Sequence, residues 1–409
     1  MTPARLPLAL AACLCLAACG GVPFLGGSMA GPAAPAGPVK VALVDVFGGT
    51  SPYASQGVYL QNSLQIEIDA LNAQGGVLGT RVQLVTADDQ LSPTQTPTVV
   101  KQLLADRAVR LLVGPSFAGL YLGAKPLVGQ AQVPNCLTSM AADDLMVSAP
   151  YSFRAAAPDH ANVPALLGYV QHSTQIKKVG LIAEQDPTGQ AYDGELSDQA
   201  PRFGHQYLGA AFVPPTGDQK AQVQQMLKQG VDAVILSNNP ATAAKTLQAI
   251  TLLKAGAKLK TLGFSGLGGY GFVQQAGDGT SGLTFVSTIE TYLSDVPEAR
   301  WPAAYHDFVK TALSRYGQAP NGEMKAMPAA ADCVAQWARA VTAANGFDGA
   351  RVAKAWETLD VPAAQSVLGV HEHFAADDHD AVTTDALSVY QWVKNGTSWG
   401  LKQLVGPAA

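Results

Sequence analysis

Charge is scarce in this sequence: Asp, Glu, Lys and Arg make up 14% of 409 residues, and Lys177-Lys178 is the one adjacent basic pair of note. The 26 basic and 31 acidic residues leave a net charge of −5. The positive stripe that releases counterions from phosphates is therefore missing, and nucleic acid is not an expected partner. Cysteine is sparse too, with 5 in the chain and no spacing that suggests zinc. Ser265 does not sit in a G-x-S-x-G turn, and no motif places a Ser, His and Asp trio as nucleophile, base and orienter. An enzyme is not expected, and no cofactor is implied. What is abundant is apolar and turn-forming: 48% hydrophobic residues, 41 glycines and 26 prolines. Such a chain buries a sizeable core, and at this length it is expected to divide it between two domains.

The N-terminus carries the strongest local signal. Arg5 precedes the apolar run Leu6 to Leu16, too short to span a bilayer and shaped like a signal peptide. Leu16-Ala17-Ala18-Cys19-Gly20 follows and resembles the bacterial lipobox, which implies acylation at Cys19; the bland alternative is ordinary cleavage after Ala18. Export is expected either way. Residues 1–18 read as the signal and 19–38, rich in Gly, Pro and Ala, as a lipidated flexible tether holding the protein to a membrane. Cys13 and Cys15 would leave with the signal. Cys136 and Cys333 remain in apolar surroundings and are expected as two buried free thiols rather than a disulfide.

From Val39 the pattern alternates. Apolar strands at Val39 to Val46, Val82 to Ala87, Arg110 to Val113 and Val133 to Leu137 are interleaved with helical spacing over Gln56 to Ala73, Thr94 to Arg107 and Leu120 to Gln130. A second series places strands at Lys178 to Ala183, Tyr207 to Phe212, Ala233 to Leu236 and Thr261 to Phe264, with helices over Gly189 to Arg202, Gln219 to Gln229 and Thr242 to Lys254. Runs buried on both faces with helices between them imply parallel sheets. Residues 298–360 read as helical, with Trp301, Tyr305, Phe308, Leu313, Trp337, Val341 and Trp356 as core candidates. Asn395-Gly396 joins two closing strands as a hairpin turn. The fold class is α/β, two doubly wound lobes, and ligands of such sheets bind outside the C-terminal strand ends.

Several stretches, in order and spacing, resemble the leucine/isoleucine/valine-binding family, with its type I periplasmic-binding-protein fold. They are Ser51 to Gly57, Ile68 to Gly79, Asp88-Asp89-Gln90, Val113-Gly114-Pro115-Ser116 and Tyr151-Ser152-Phe153-Arg154. The resemblance implies a three-strand hinge, with crossings near Ala155 to Pro158, Ser287 to Glu290 and residues 360–368. Lobe I is then 39–156 plus 288–362, and lobe II is 157–287 plus 363–409. It also implies a monomeric solute receptor that closes over a small molecule by hinge motion and docks on the transmembrane permease subunits of an ABC importer.

Carried over residue by residue, the family's amino-acid site is altered here. Phe117 and Ala118 follow Ser116 where small hydroxyl residues usually hold a carboxylate, and the next anion-binding turn is Leu137-Thr138-Ser139-Met140-Ala141. Thr188 stands for a tyrosine, Asn239 for an aromatic, and Ser265 for the acid that pairs an ammonium. A buried zwitterion needs partners for both charges. The expected ligand is therefore neutral or weakly charged and partly apolar. Tyr53, Phe117 and Met140 would give apolar contact, and Ser116, Ser139, Thr188, Asn238, Asn239 and Ser265 would orient it beside Ala118 and Ala141. A one-residue shift in these loops would restore a branched-chain amino-acid site. The competing class is a regulatory or scaffolding envelope lipoprotein of the same fold, such as a cell-wall synthase activator.

Two further patterns carry weaker signals. Gly266 to Gly271 fits G-x-G-x-x-G, but a glycine-rich cleft loop is the better reading than a dinucleotide site. His371, His373 and His379 lie among Glu372, Asp377, Asp378 and Asp380 and read as an exposed strand and acidic turn rather than a metal site.

Overall fold

The computed structural model describes residues 37–48, 53–173, 175–214, 217–236, 238–288, 297–319 and 323–406. The expected signal segment, Cys19 and nearly all of the tether lie outside the described residues. The first sheet is built by β1 (Val39–Asp45), α1 (Ala54–Ala73), β2 (Val82–Asp88), α2 (Gln95–Ala105), β3 (Val109–Val113), α3 (Ala118–Ala131), β4 (Asn135–Leu137) and β5 (Ser152–Arg154). Its five strands run in the order β2-β1-β3-β4-β5, each pair parallel. Val41, Ala42, Leu43 and Val44 are fully buried, as a strand with helices on both faces must be. α1 buries Leu60, Leu64 and Ile68 on one face and ends before Gly75 and Gly76. A side chain at Gly76, where φ is +81°, would put its Cβ 2.1 Å from the Thr80 carbonyl oxygen, so only glycine fits that turn.

α4 (Asp159–Ser173) then carries the chain over to β6 (Lys178–Glu184), α5 (Pro187–Gln199), β7 (Gln206–Val213), α6 (Lys220–Gln229), β8 (Ala233–Leu236), α7 (Pro240–Leu252), β9 (Lys260–Gly263), α8 (Tyr270–Ala276) and β10 (Thr284–Ser287). α9 (Ala303–Tyr316), α10 (Pro328–Ala344), α11 (Gly349–Trp356) and the strand pair β11 (Asp360–Val361) and β12 (Glu372–His373) follow. β13 (Ser388–Asn395) and β14 (Ser398–Val405) close the chain. The second sheet has seven strands in the order β14-β13-β10-β9-β8-β6-β7, with β13 antiparallel to β10 and β14.

Three features differ from the sequence reading. Cys136 and Cys333 are not free thiols: they form a disulfide between β4 and α10, with Cα atoms 5.8 Å apart and 197 residues between them in sequence. Apolar surroundings at each cysteine identify burial but not adjacency, which only the packing of α10 on the first sheet creates. The return to the second sheet lies at Ser388, not at residues 360–368, because Leu368, Val370, Phe374, Val382 and Leu387 pack into the first lobe's core with Trp337 and Trp356. Third, α4 was not foreseen. Its Ala161 sits in the first lobe's core and its Val163, Leu166 and Val170 in the second's, so no single apolar stripe marks it.

Candidate functional site

The two sheets present matching edges. β1 ends in Asp45 and β6 ends in Glu184, each at the C-terminal end of the first strand of its sheet. Asp45 is 2% exposed, accepts the Val46 N–H at 2.7 Å and accepts the Ser116 hydroxyl in a short hydrogen bond. Burial pushes the Asp45 carboxyl up to about 6; the Ser116 and Val46 donors oppose this, while Asp89 and Asp88 add to it. The Ser116 carbonyl in turn accepts the Ser139 hydroxyl at 2.9 Å.

Beside this pair, Phe117 caps α3 and meets Tyr53 edge-on, with ring centroids 5.0 Å apart. The Tyr53 phenol is raised by burial and then by the charge of Glu184, which places the second lobe's strand end opposite the first lobe's aromatic pair. The turn from Leu137 to Ala141 is held from behind. Arg154 donates to the carbonyls of Met140 (3.2 Å) and Ala142 (2.9 Å), and Asp159 donates its N–H to that of Ala141 at 2.9 Å. Met140 packs with Tyr121, Leu137 and Leu145, and Ala118 borders the same cluster.

On the facing wall, Thr188 lies half-buried in the first turn of α5, whose cap Asp186 accepts the Gly189 N–H at 2.8 Å. Asn239 caps α7 by accepting the Ala241 N–H at 3.0 Å, and Asn238 accepts the Gly266 N–H at 2.7 Å next to Ser265. The expected site residues thus divide between the two lobes. Asn238 and Asn239 hold backbone, and Ser116 serves Asp45. Sequence reasoning overlooked Asp45, Glu184 and Asp159. For Asp45 and Glu184 the available signal is an acid closing an otherwise apolar strand; Asp159, at the start of α4, carries no such mark.

Behind the turn, Arg154 is 1% exposed and forks onto Asp380 at 2.6 and 2.7 Å, with Asp143 at 3.4 Å. Asp143 pairs with His160 at 2.9 Å. Asp143, His160 and Asp380 could converge on a cation, but the guanidinium already supplies positive charge between the two acids. The histidines near the C-terminus have separate commitments: His371 bonds Asp360, and His379 stacks on Phe153 with centroids 4.4 Å apart and bonds the Ser152 carbonyl at 2.8 Å.

Two α/β lobes, one on an all-parallel sheet and one on a mostly parallel sheet, with the chain passing between them more than once, match the type I periplasmic binding protein fold. The chain belongs to the periplasmic binding protein family, whose profile matches residues 38–397. Its curated relatives include proteins named as leucine/isoleucine/valine-binding. It is 22% identical over 361 residues to Leu/Ile/Val-binding protein homolog 8 of Brucella abortus, covering 84% of this chain and 87% of that one. With Leu/Ile/Val-binding protein BraC3 of Rhizobium johnstonii it shares 24% identity over 187 residues, 45% of this chain, and spans about half (51%) of that relative's length. Among solved structures, the branched-chain amino acid transporter substrate-binding protein LivJ of Streptococcus pneumoniae, in complex with isoleucine, superposes with a TM-score of 0.71 at 21% identity, covering 90% of this chain and 99% of that one. A solute-binding protein of R. palustris in complex with 4-hydroxybenzoate superposes equally well, at 0.71 and 21% identity over 90% and 96% of the two chains. At such identities the likeness is one of fold. The family's place is outside the cytoplasm, and its members bind solutes rather than transform them.

Proposed function

We propose that this protein is the solute receptor of an ABC importer, tethered to a membrane through Cys19, which closes its lobes over a small, partly apolar molecule that is not a zwitterion. The observation that carries the ligand class is the Ser116 hydroxyl, which donates to the carboxylate of Asp45. Burial raises that carboxyl to about 6, so it carries negative charge above that pH. A ligand carboxylate placed at this loop meets a committed donor backed by a like charge, and a buried unpaired anion is costly. Tyr53 and Phe117 supply an apolar lip. Ser139, Thr188, Asn238, Asn239 and Ser265 offer hydrogen bonds, with Ala118, Met140 and Ala141 shaping the floor.

The second reading is a receptor for branched-chain amino acids, favoured by the names of the Brucella and Rhizobium relatives. Calorimetric titration with leucine, isoleucine and valine separates the two. Our reading expects no heat at micromolar concentrations, alongside thermal stabilisation by a neutral or weakly charged compound from a metabolite screen. Micromolar leucine binding overturns the ligand class. Failure of every small molecule, together with capture of an envelope protein, overturns the receptor itself in favour of a scaffold.

A further inference from the structure

The glycine-rich loop at residues 266–271 is built tightly on the second lobe. Leu267 and Phe272 pack with Leu236 and Trp392, the Trp392 indole donates to the Leu267 carbonyl at 2.8 Å, and Asn238 accepts the Gly266 N–H. A Cβ at Gly266 would fall 2.3 Å from the Asn238 carbonyl oxygen. At its far end the loop meets a side chain of the other lobe. Glu323 accepts the Gly271 N–H through Oε1 at 2.9 Å, and a Cβ at Gly269 would lie only 2.9 Å from the same oxygen.

Glu323 belongs to the first lobe. Its neighbour Met324 packs with Ile66 of α1 and with Tyr305 and Phe308 of α9, and Asn62 of α1 donates to the Lys325 carbonyl at 2.8 Å. The Tyr59 phenol of α1 is raised by burial and then by the Glu323 charge, as the carboxylate stands near α1 as well as the glycine loop. The G-x-G-x-x-G spacing thus has a use without any nucleotide. Its glycines let a backbone N–H and an acid from opposite lobes come together.

We propose that Glu323 is a latch: by docking on the Gly269 to Gly271 backbone it stabilises the closed arrangement of the lobes in the absence of any ligand. This rests on the hinge-closing reading above but not on any ligand class. A contact made only when the lobes are closed shifts the open–closed equilibrium by its own differential free energy, and it tightens apparent ligand affinity by raising the competent fraction. A hydrogen bond to a charged acceptor corresponds to a shift of about tenfold or more in that ratio.

The test places a label pair on exposed positions of the two lobes, Leu122 of α3 and Leu252 of α7, and reads their distance distribution in ligand-free protein. Glu323→Ala is expected to raise the open-to-closed ratio about tenfold, and Glu323→Lys at least as much. Glu323→Gln keeps an acceptor of the same length and should recover most of the closed population. Gly269→Ala attacks the contact from the other lobe and should open the protein with Glu323 intact. Unchanged distributions in Glu323→Ala and Gly269→Ala, with melting curves like the parent's, overturn the latch. Because no ligand is added, that outcome is distinct from the failure of the receptor reading, which would show instead as an absence of any binding compound.

Discussion

The two lobes reach similar architecture by different chemistry. Buried charge in the first lobe is plentiful: Asp45, Asp89, Arg154, Asp332, Glu357, Glu372 and Asp380 all lie within it, and the disulfide ties its sheet to α10. Apart from Asp159 at the junction, which sits against Tyr192, the second lobe buries no Asp, Glu, Lys or Arg among the described residues and relies on aromatic and aliphatic packing, with Tyr192 stacked on Phe264 at 4.5 Å and Phe285, Tyr390 and Trp392 filling the other face. Polar networks with fixed donors specify one geometry, whereas an apolar core tolerates small shifts. In the first lobe such donors hold the turn at residues 137–142 through Arg154.

Breaking the Arg154 fork should show this difference most strongly. Arg154→Met leaves Asp380 buried without its partner and is expected to cost about 3–5 kcal/mol in chemical denaturation. The double change with Asp380→Asn should recover part of that. Next comes the cross-link: replacing Cys136 and Cys333 by alanine opens a long covalent loop and should cost roughly 2–4 kcal/mol, with the loss confined to the unfolding of the first lobe in hydrogen exchange.

Asp159, where α4 leaves the first lobe, sharpens the comparison through pH. Burial raises its carboxyl from 3.8 to about 7, with Tyr192 and Arg154 opposing and Asp143 and Glu195 adding. The folded protein thus holds this proton more tightly than the unfolded chain. The stability it contributes is whole below about pH 4 and is lost as pH rises through about 7. Asp45 and Glu67, raised to about 6 and about 7, act in the same direction. Asp159→Asn should therefore be stabilising by roughly 1–3 kcal/mol at pH 8.5 and nearly neutral at pH 4, read from denaturation midpoints. A smaller effect is expected in the second lobe. Phe264→Leu removes the stack on Tyr192 for roughly 1 kcal/mol, read from denaturation midpoints.

Much of this organisation was legible in the chain. Continuous apolar strands followed by helical spacing gave both sheets, and Asn395-Gly396 marked the final hairpin, because those signals are local. Asn238 and Asn239 read as site residues from the sequence, but their bonds to Gly266 and Ala241 depend on the shape of the loops. The Cys136–Cys333 bond, the Arg154–Asp380 fork and the meeting of Glu323 with Gly271 join residues far apart in sequence, so no spacing announces them. α4 escaped notice because it is shared by two cores and shows no single stripe.

The decisive observation is the separation of the lobes, read between labels at positions 122 and 252, while a compound found by thermal shift is titrated in. A population shortening to a closed distance at saturation, with leucine producing no change at the same concentration, is what the proposed hinged receptor for a non-zwitterionic solute must show. Lobes that keep one fixed separation with every stabilising compound would contradict it.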